Sequence, residues 1–217
     1  MQRRQFMMSG VLAMAGAFQT GALAFEAPDC AACAPSDSAR FKPSLLLALK
    51  NRSYVAEFAA KARAQGKPDA KLLHKTLVAD VIVVPVEDRA RISRFIAVGD
   101  GRTFGMSDKD VFDAAFKNLL NRATRVAVHD LGPVRALSFE ADYNASLLLV
   151  RDVWSTVPDL PANLVVAVPA RDIVAFGDGN DPDVLRRLRS IATMPTDGFP
   201  ITRRLLRRID GRWSVAE

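Results

Sequence analysis

The chain has two cysteines, Cys30 and Cys33, in the stretch "FEAPDCAACAPSD". A C-x-x-C pair does thiol–disulfide chemistry when a strand-to-helix junction lowers a thiolate pKa. It can also supply half of a tetrahedral metal site. The flanks fit the first use poorly, because "FEAP" is no strand and "APSDSARFKPS" carries breakers before any helix. The second use needs about four ligands. The histidines, His74 and His129, lie far along the chain near expected strands. In an oxidising compartment the pair reads as a local disulfide or two exposed thiols. So small a ring constrains little of the unfolded chain.

Other constellations are weaker. His129 and Asp130 are adjacent, and neighbours on a strand point to opposite faces. Ser146, in "NASLL", lacks the glycines of a nucleophile elbow and falls within an expected helix. Asp178, Asp181 and Asp183 in "GDGNDPD" hint at a calcium loop, but the required Gly and Glu positions hold Asp183 and Arg189. "GDGRTFG" has neither the P-loop lysine nor the G-x-G-x-x-G pattern. Arg171-Asp172 reads as a local ion pair fixing a turn. Two arginine groups stand out. Arg186, Arg187 and Arg189 alternate with Leu185, Leu188 and Ile191. Arg203, Arg204, Arg207 and Arg208 surround Leu205, Leu206 and Ile209. Such a basic side is either a solvated face whose stems cover apolar surface or a contact for an anionic surface or acidic partner.

The N-terminal residues say where such chemistry would take place. Arg3 and Arg4, followed by Phe6, precede a moderately apolar run that ends in Ala22-Leu23-Ala24. This is the pattern of an export signal, of twin-arginine type, with Ala22 and Ala24 at the cleavage site. An ordinary secretory signal with two arginines is the other reading. The expected organisation is a signal over 1–24, a flexible leader over 25–42 and a single domain over 43–217. No later run is long enough to span a bilayer, so no transmembrane anchor is expected after cleavage. The chain of 217 residues carries a formal charge of +6, with arginine outnumbering lysine 22 to 8. That ratio reads as compositional bias, and export makes nucleic acid an unexpected partner.

The elements follow from periodicity and punctuation. "KPSLLLALKNRSYVAEFAAKARAQG" reads as one helix, with Leu45, Leu49, Ala56 and Ala60 on a shared face. "TLVADVIVVPVED" and "ARISRFIAVGDG" read as two strands, with Glu87-Asp88-Arg89 as the turn. "SDKDVFDAAFKNLLNRA" is a helix with a Ser107/Asp110 capping box. "RVAVHDLGPVRALSFEA" gives two strands around Gly132-Pro133. "DYNASLLLVRDVWSTV" reads as a helix. "NLVVAVPARDIVAFGDGND" is a strand pair split at "PARD". Asp181 and Pro182 open a further helix. The C-terminus reads as a helical turn and a strand, bent at Asp210-Gly211. Paired strands separated by single helices make an α+β fold with a mostly antiparallel sheet.

The run from Val78 to Ser190 also carries a resemblance. "VVPVED", "RFIAV", "SDKDVFDAAFKNLL", "DYNASLLLVRDVW", "VVAVPARDIVAFGDG" and "DVLRRLRS", in that order, resemble the uncharacterised bacterial YtpQ-like family, a domain of unknown function. The resemblance implies a shared fold and no reaction, cofactor or catalytic residue. The exported leader with C-x-x-C departs from that family. The expectation is therefore a periplasmic or otherwise extracytoplasmic protein. It would serve as a non-catalytic binding or accessory domain of the cell envelope, with an envelope protein or anionic surface as partner. The alternatives are a metal- or thiol-handling protein using Cys30 and Cys33, or a hydrolase whose site is assembled from distant residues. No cofactor is named by the sequence.

Overall fold

A computed structural model describes residues 38–89, 93–196 and 199–216. The expected signal, Cys30 and Cys33 lie outside the described residues. The chain is α+β, with two antiparallel sheets. The first sheet contains β1 (Leu45–Asn51), β2 (Lys75–Val78), β3 (Val81–Asp88) and β4 (Ser93–Phe95). β3 pairs with β1 along one edge and with β2 and β4 along the other. Pro85 falls between the β2 register, which begins at Val83, and the β4 register, which begins at Val86. A residue without an N–H is tolerated at such a gap.

Three expectations change here. Leu45–Asn51 is a strand, between α1 (Ser38–Ser44) and α2 (Tyr54–Ala64), rather than part of one long helix. Leu45 through Leu49 are all buried. A strand covered on both faces shows no alternation, so its apolar run is indistinguishable from that of a helix. Second, "TLVADVIVVPVED" is a hairpin. Val78 faces Val81, and Ala79 turns the chain at φ +47°. Glu87 and Asp88 then belong to β3 rather than to a turn. Third, the domain begins before residue 43: Phe41 of α1 is fully buried and stacks on Phe104 at 3.9 Å.

α3 (Asp108–Arg122) packs on β1 and carries the capping box, Ser107 and Asp110 bonding each other's backbone N–H. The second sheet orders its strands β10-β9-β7-β8-β6-β5. They are β5 (Ala127–Leu131), β6 (Val134–Ser138), β7 (Leu164–Ala167), β8 (Val174–Asp178), β9 (Leu205–Ile209) and β10 (Arg212–Val215). A 3-10 helix over Ala141–Leu149 and α4 (Arg151–Thr156) replace the single helix expected after β6. The expected C-terminal helical turn is β9. It turns into β10 through Asp210 and Gly211, whose φ values of +48° and +76° suit a two-residue hairpin.

The second sheet is covered on both faces. On one side Phe41, Leu49 and Ile82 join Trp154, Phe176 and Leu206 in one apolar cluster. Trp154 is fully buried there and donates its indole N–H to Leu147 O at 2.9 Å. On the other side Val184, Leu188 and Ala192 of α5 (Pro182–Thr193) meet Val165, Ala167, Ala175 and Leu205. Burying each of Val184 and Leu188 contributes about 1.5–3 kcal/mol. Asp181 caps α5 by accepting from Asp183 and Val184 N–H groups. Gly177 of β8 allows the close approach, since a Cβ there would lie 2.5 Å from Val184 Cγ1.

Candidate functional site

The strand geometry of β9 redistributes the C-terminal arginines. Arg207 stands opposite Val165, on the side that α5 covers. Arg208 stands opposite Trp213 and places its guanidinium 5.9 Å from that ring. Burial, and then Arg151, lower the Arg208 pKa. Arg207 Nε is buried without a hydrogen-bond partner among the described residues. These two arginines therefore do not share a face with each other. Arg203 and Arg204 precede β9, are exposed, and line a cleft of about 670 Å³. Arg3, Arg4, Phe6, Ala22, Ala24, Cys30 and Cys33 lie outside the described residues.

The cleft forms where the two sheets meet. Its first-sheet wall is Asn51 at the end of β1, Ser53 before α2, and Asp80 in the β2–β3 turn. Its other wall is Pro169, the end of α5 and the segment leading into β9. Hydrogen bonds tie the walls together. Asn51 Nδ2 donates to Asp80 Oδ2 at 2.9 Å and to Ile201 O at 2.7 Å. Thr202 Oγ1 donates to Asp80 Oδ1 at 2.9 Å. Asp80 is thus satisfied by neutral donors. Arg204 Nε lies 4.0 Å from Asp80 Oδ1, and its side chain is 61% exposed. Arg203 has no side-chain partner among the described residues. The cleft edge therefore offers Arg203, and Arg204 held by Asp80 only at the long limit of an ion pair, to an incoming group above apolar walls from Ala192, Met194, Pro195 and Pro200.

Lys50 comes from the same end of β1. The register places Leu46, Ala48 and Lys50 on the face that carries Val86 and Phe95. Lys50 is 7% exposed. Its Nζ lies 5.1 Å from the Tyr54 ring centroid, 5.2 Å from Phe95 and 4.7 Å from Phe199. Its ammonium makes no hydrogen bond or ion pair among the described residues. Burial first, and Arg171 second, lower its pKa to about 8. At pH 7 about one such amine in ten is neutral, against far fewer for an ordinary lysine. Arg171 pairs with Asp142 at 3.0 Å and lies over Phe199 at 3.8 Å. Glu57 and Lys61 of α2 also act on Lys50. The backbone bridge between Ala170 and Pro200 joins the Arg171 and Phe199 segments to the cleft.

The remaining sequence candidates have local roles. His74 Nδ1 lies 3.0 Å from Leu72 O, and His129 Nε2 lies 2.6 Å from Ser138 Oγ. Ser146 is buried in the 3-10 helix. Asp178 accepts from Asn180 N–H, and Asp183 pairs with Arg186. Arg171 pairs with Asp142, not with Asp172 as expected. Among the described residues no group of three or more His, Cys, Asp or Glu side chains is placed to hold a metal ion. Nor is any described helix long and apolar enough to cross a membrane. Sequence reasoning passed over Lys50. The signal for it was a single charge closing the unbroken apolar run "LLLALK", visible only once that run is a strand buried on both faces. Comparison of the chain with protein-family models, with curated proteins and with solved structures finds no match.

Proposed function

We propose that the chain is an exported, non-catalytic binding domain whose cleft takes an acidic segment of an envelope protein. The observation that carries this reading is the pair Arg203 and Arg204, exposed at the edge of a cleft of about 670 Å³ with apolar walls. Guanidinium groups recognise carboxylates through paired N–H donors. The walls would hold apolar side chains of the same segment. A concave site suits a chain segment better than a flat lipid surface. The division of Arg207 and Arg208 between two faces also removes the continuous basic face that a bilayer would need. Export rests on Arg3, Arg4 and Phe6 ahead of Ala22 and Ala24.

The test is binding of fluorescent peptides that alternate glutamate with leucine, measured by anisotropy. Replacing Arg203→Glu together with Arg204→Glu should weaken binding at least about tenfold, the scale of losing a charged hydrogen bond. Stability should stay within about 0.5 kcal/mol, as for other exposed substitutions. Unchanged affinity in the double variant would sink the cleft reading. So would equal binding of the matching lysine–leucine peptides, or partitioning onto phosphatidylglycerol vesicles in the absence of peptide binding.

A further inference from the structure

Lys50 is a buried cation with no anion bonded to it among the described residues. Taking an ammonium group out of water is costly unless a counter-charge or hydrogen bonds replace the lost hydration. Three rings supply part of that replacement through their negative faces. They offer no hydrogen-bond acceptor comparable to a carboxylate. The charged groups acting on Lys50 come from three elements. Glu57 and Lys61 lie on α2, Asp142 on the 3-10 helix, and Arg171 on the β7–β8 connection. Asp142 is already engaged by Arg171. Among these described groups, the three cations Lys50, Lys61 and Arg171 outnumber the two anions Glu57 and Asp142 by one.

We propose that Lys50 and Arg171 form a binding site for a small organic monocarboxylate with an aromatic or apolar body. The inference is independent of the cleft reading, because it uses neither Arg203 nor Arg204. The carboxylate supplies the missing negative charge to Lys50 and to the Arg171 guanidinium, both of which already lie over the Phe199 ring. The body of the ligand packs against Tyr54, Phe95 and Phe199, of which Phe199 is 49% exposed. One excess charge matches a monoanion better than a phosphate dianion. The ring-lined surroundings favour a carboxylate that brings apolar surface over acetate.

The experiment is calorimetric titration of the purified full chain with benzoate, acetate and inorganic phosphate at pH 7. Benzoate should bind saturably, at least about tenfold tighter than acetate or phosphate. Its affinity should fall as pH rises through about 8, where Lys50 loses its proton. Lys50→Met keeps the stem and removes the charge. It should fold with stability equal to or above that of the parent at pH 7, and bind benzoate at least about tenfold more weakly. Arg171→Gln should weaken benzoate as well. Both variants should bind the glutamate–leucine peptide as the parent does, so failure here is distinguishable from failure at the cleft. Unchanged benzoate affinity in either variant would overturn the site. Phosphate binding as tight as benzoate would overturn the ligand class. A Lys50→Met protein clearly less stable than the parent would make Lys50 a structural part of the ring cluster and overturn the inference.

Discussion

Glu87 and Lys50 are both buried in the first sheet, on opposite faces, and their surroundings differ in kind. Glu87 is 3% exposed and Lys50 is 7% exposed. Leu45 stands opposite Glu87, and the five residues from Leu45 to Lys50 place these two side chains on different sides. Glu87 Oε2 accepts from Arg89 and from Arg94, each at 2.9 Å. Arg94 is held in turn by Asp100 at 3.0 Å. Among the described residues the Lys50 ammonium has rings around it and no hydrogen bond or ion pair, with Arg171 as a like-charged neighbour and Glu57, Lys61 and Asp142 acting at longer range. A buried charge inside a completed network holds the fold together. A buried charge outside one destabilises it, and the domain bears that cost at Lys50. The contrast separates a structural ion from one with work to do on a ligand.

The largest effect should come from making Glu87 resemble Lys50. Glu87→Lys places a third cation between Arg89 and Arg94, and should cost about 4 kcal/mol in urea unfolding. A loss below about 1 kcal/mol would show that the two arginines reach water well enough to dispense with their partner.

The next effect comes from making Lys50 cost nothing. Its folded pKa of about 8 lies below the ordinary lysine value of 10.5. The unfolded chain therefore binds more protons at this site between those values, and stability rises with pH across that window. The cost of charged Lys50 is fully present below about pH 8 and gone above about 10.5. Lys50→Met should accordingly be more stable than the parent at pH 7, by up to about 3 kcal/mol. That advantage should shrink as pH rises from 8 to 10.5. Tyr54 and Tyr143, both pushed up to about 12 by burial, stay protonated in the folded parent across this window. An advantage that does not change with pH would break the comparison with Glu87.

Neither buried charge was legible in the sequence, which placed Glu87 in a turn and Lys50 in a helix, although both lie in strands; other elements were. α5 was legible from its own residues: Asp181 caps it and Pro182 opens it, although its buried face is Val184, Leu188 and Ala192 rather than the Leu185, Leu188 and Ile191 read between the arginines. The Ser107/Asp110 box and the Gly132, Asp210-Gly211 and "PARD" turns were legible for the same reason, since local chemistry decides them. β1 was not, because burial on both faces erased the alternation that marks a strand. The β2–β3 hairpin was hidden because Ala79, at φ +47°, is not a residue that announces a turn. The cleft was half legible. Arg203 and Arg204 were singled out, but grouped with Arg207 and Arg208 by a helical reading that strand alternation overturns. The Lys50 surroundings were not legible at all. They join Tyr54, Phe95, Arg171 and Phe199, from segments that only the sheet packing brings together.

Lys50 is a desolvated ammonium without an anion among the described residues, and its titration tests that most directly. Lysine side chains labelled with ¹³C and ¹⁵N, with Lys50 assigned through Lys50→Met, allow its pKa to be followed by NMR in the folded chain. The account predicts a midpoint near 8 without ligand, moving upward when benzoate is added. A midpoint near the ordinary lysine value, unmoved by benzoate, would contradict it.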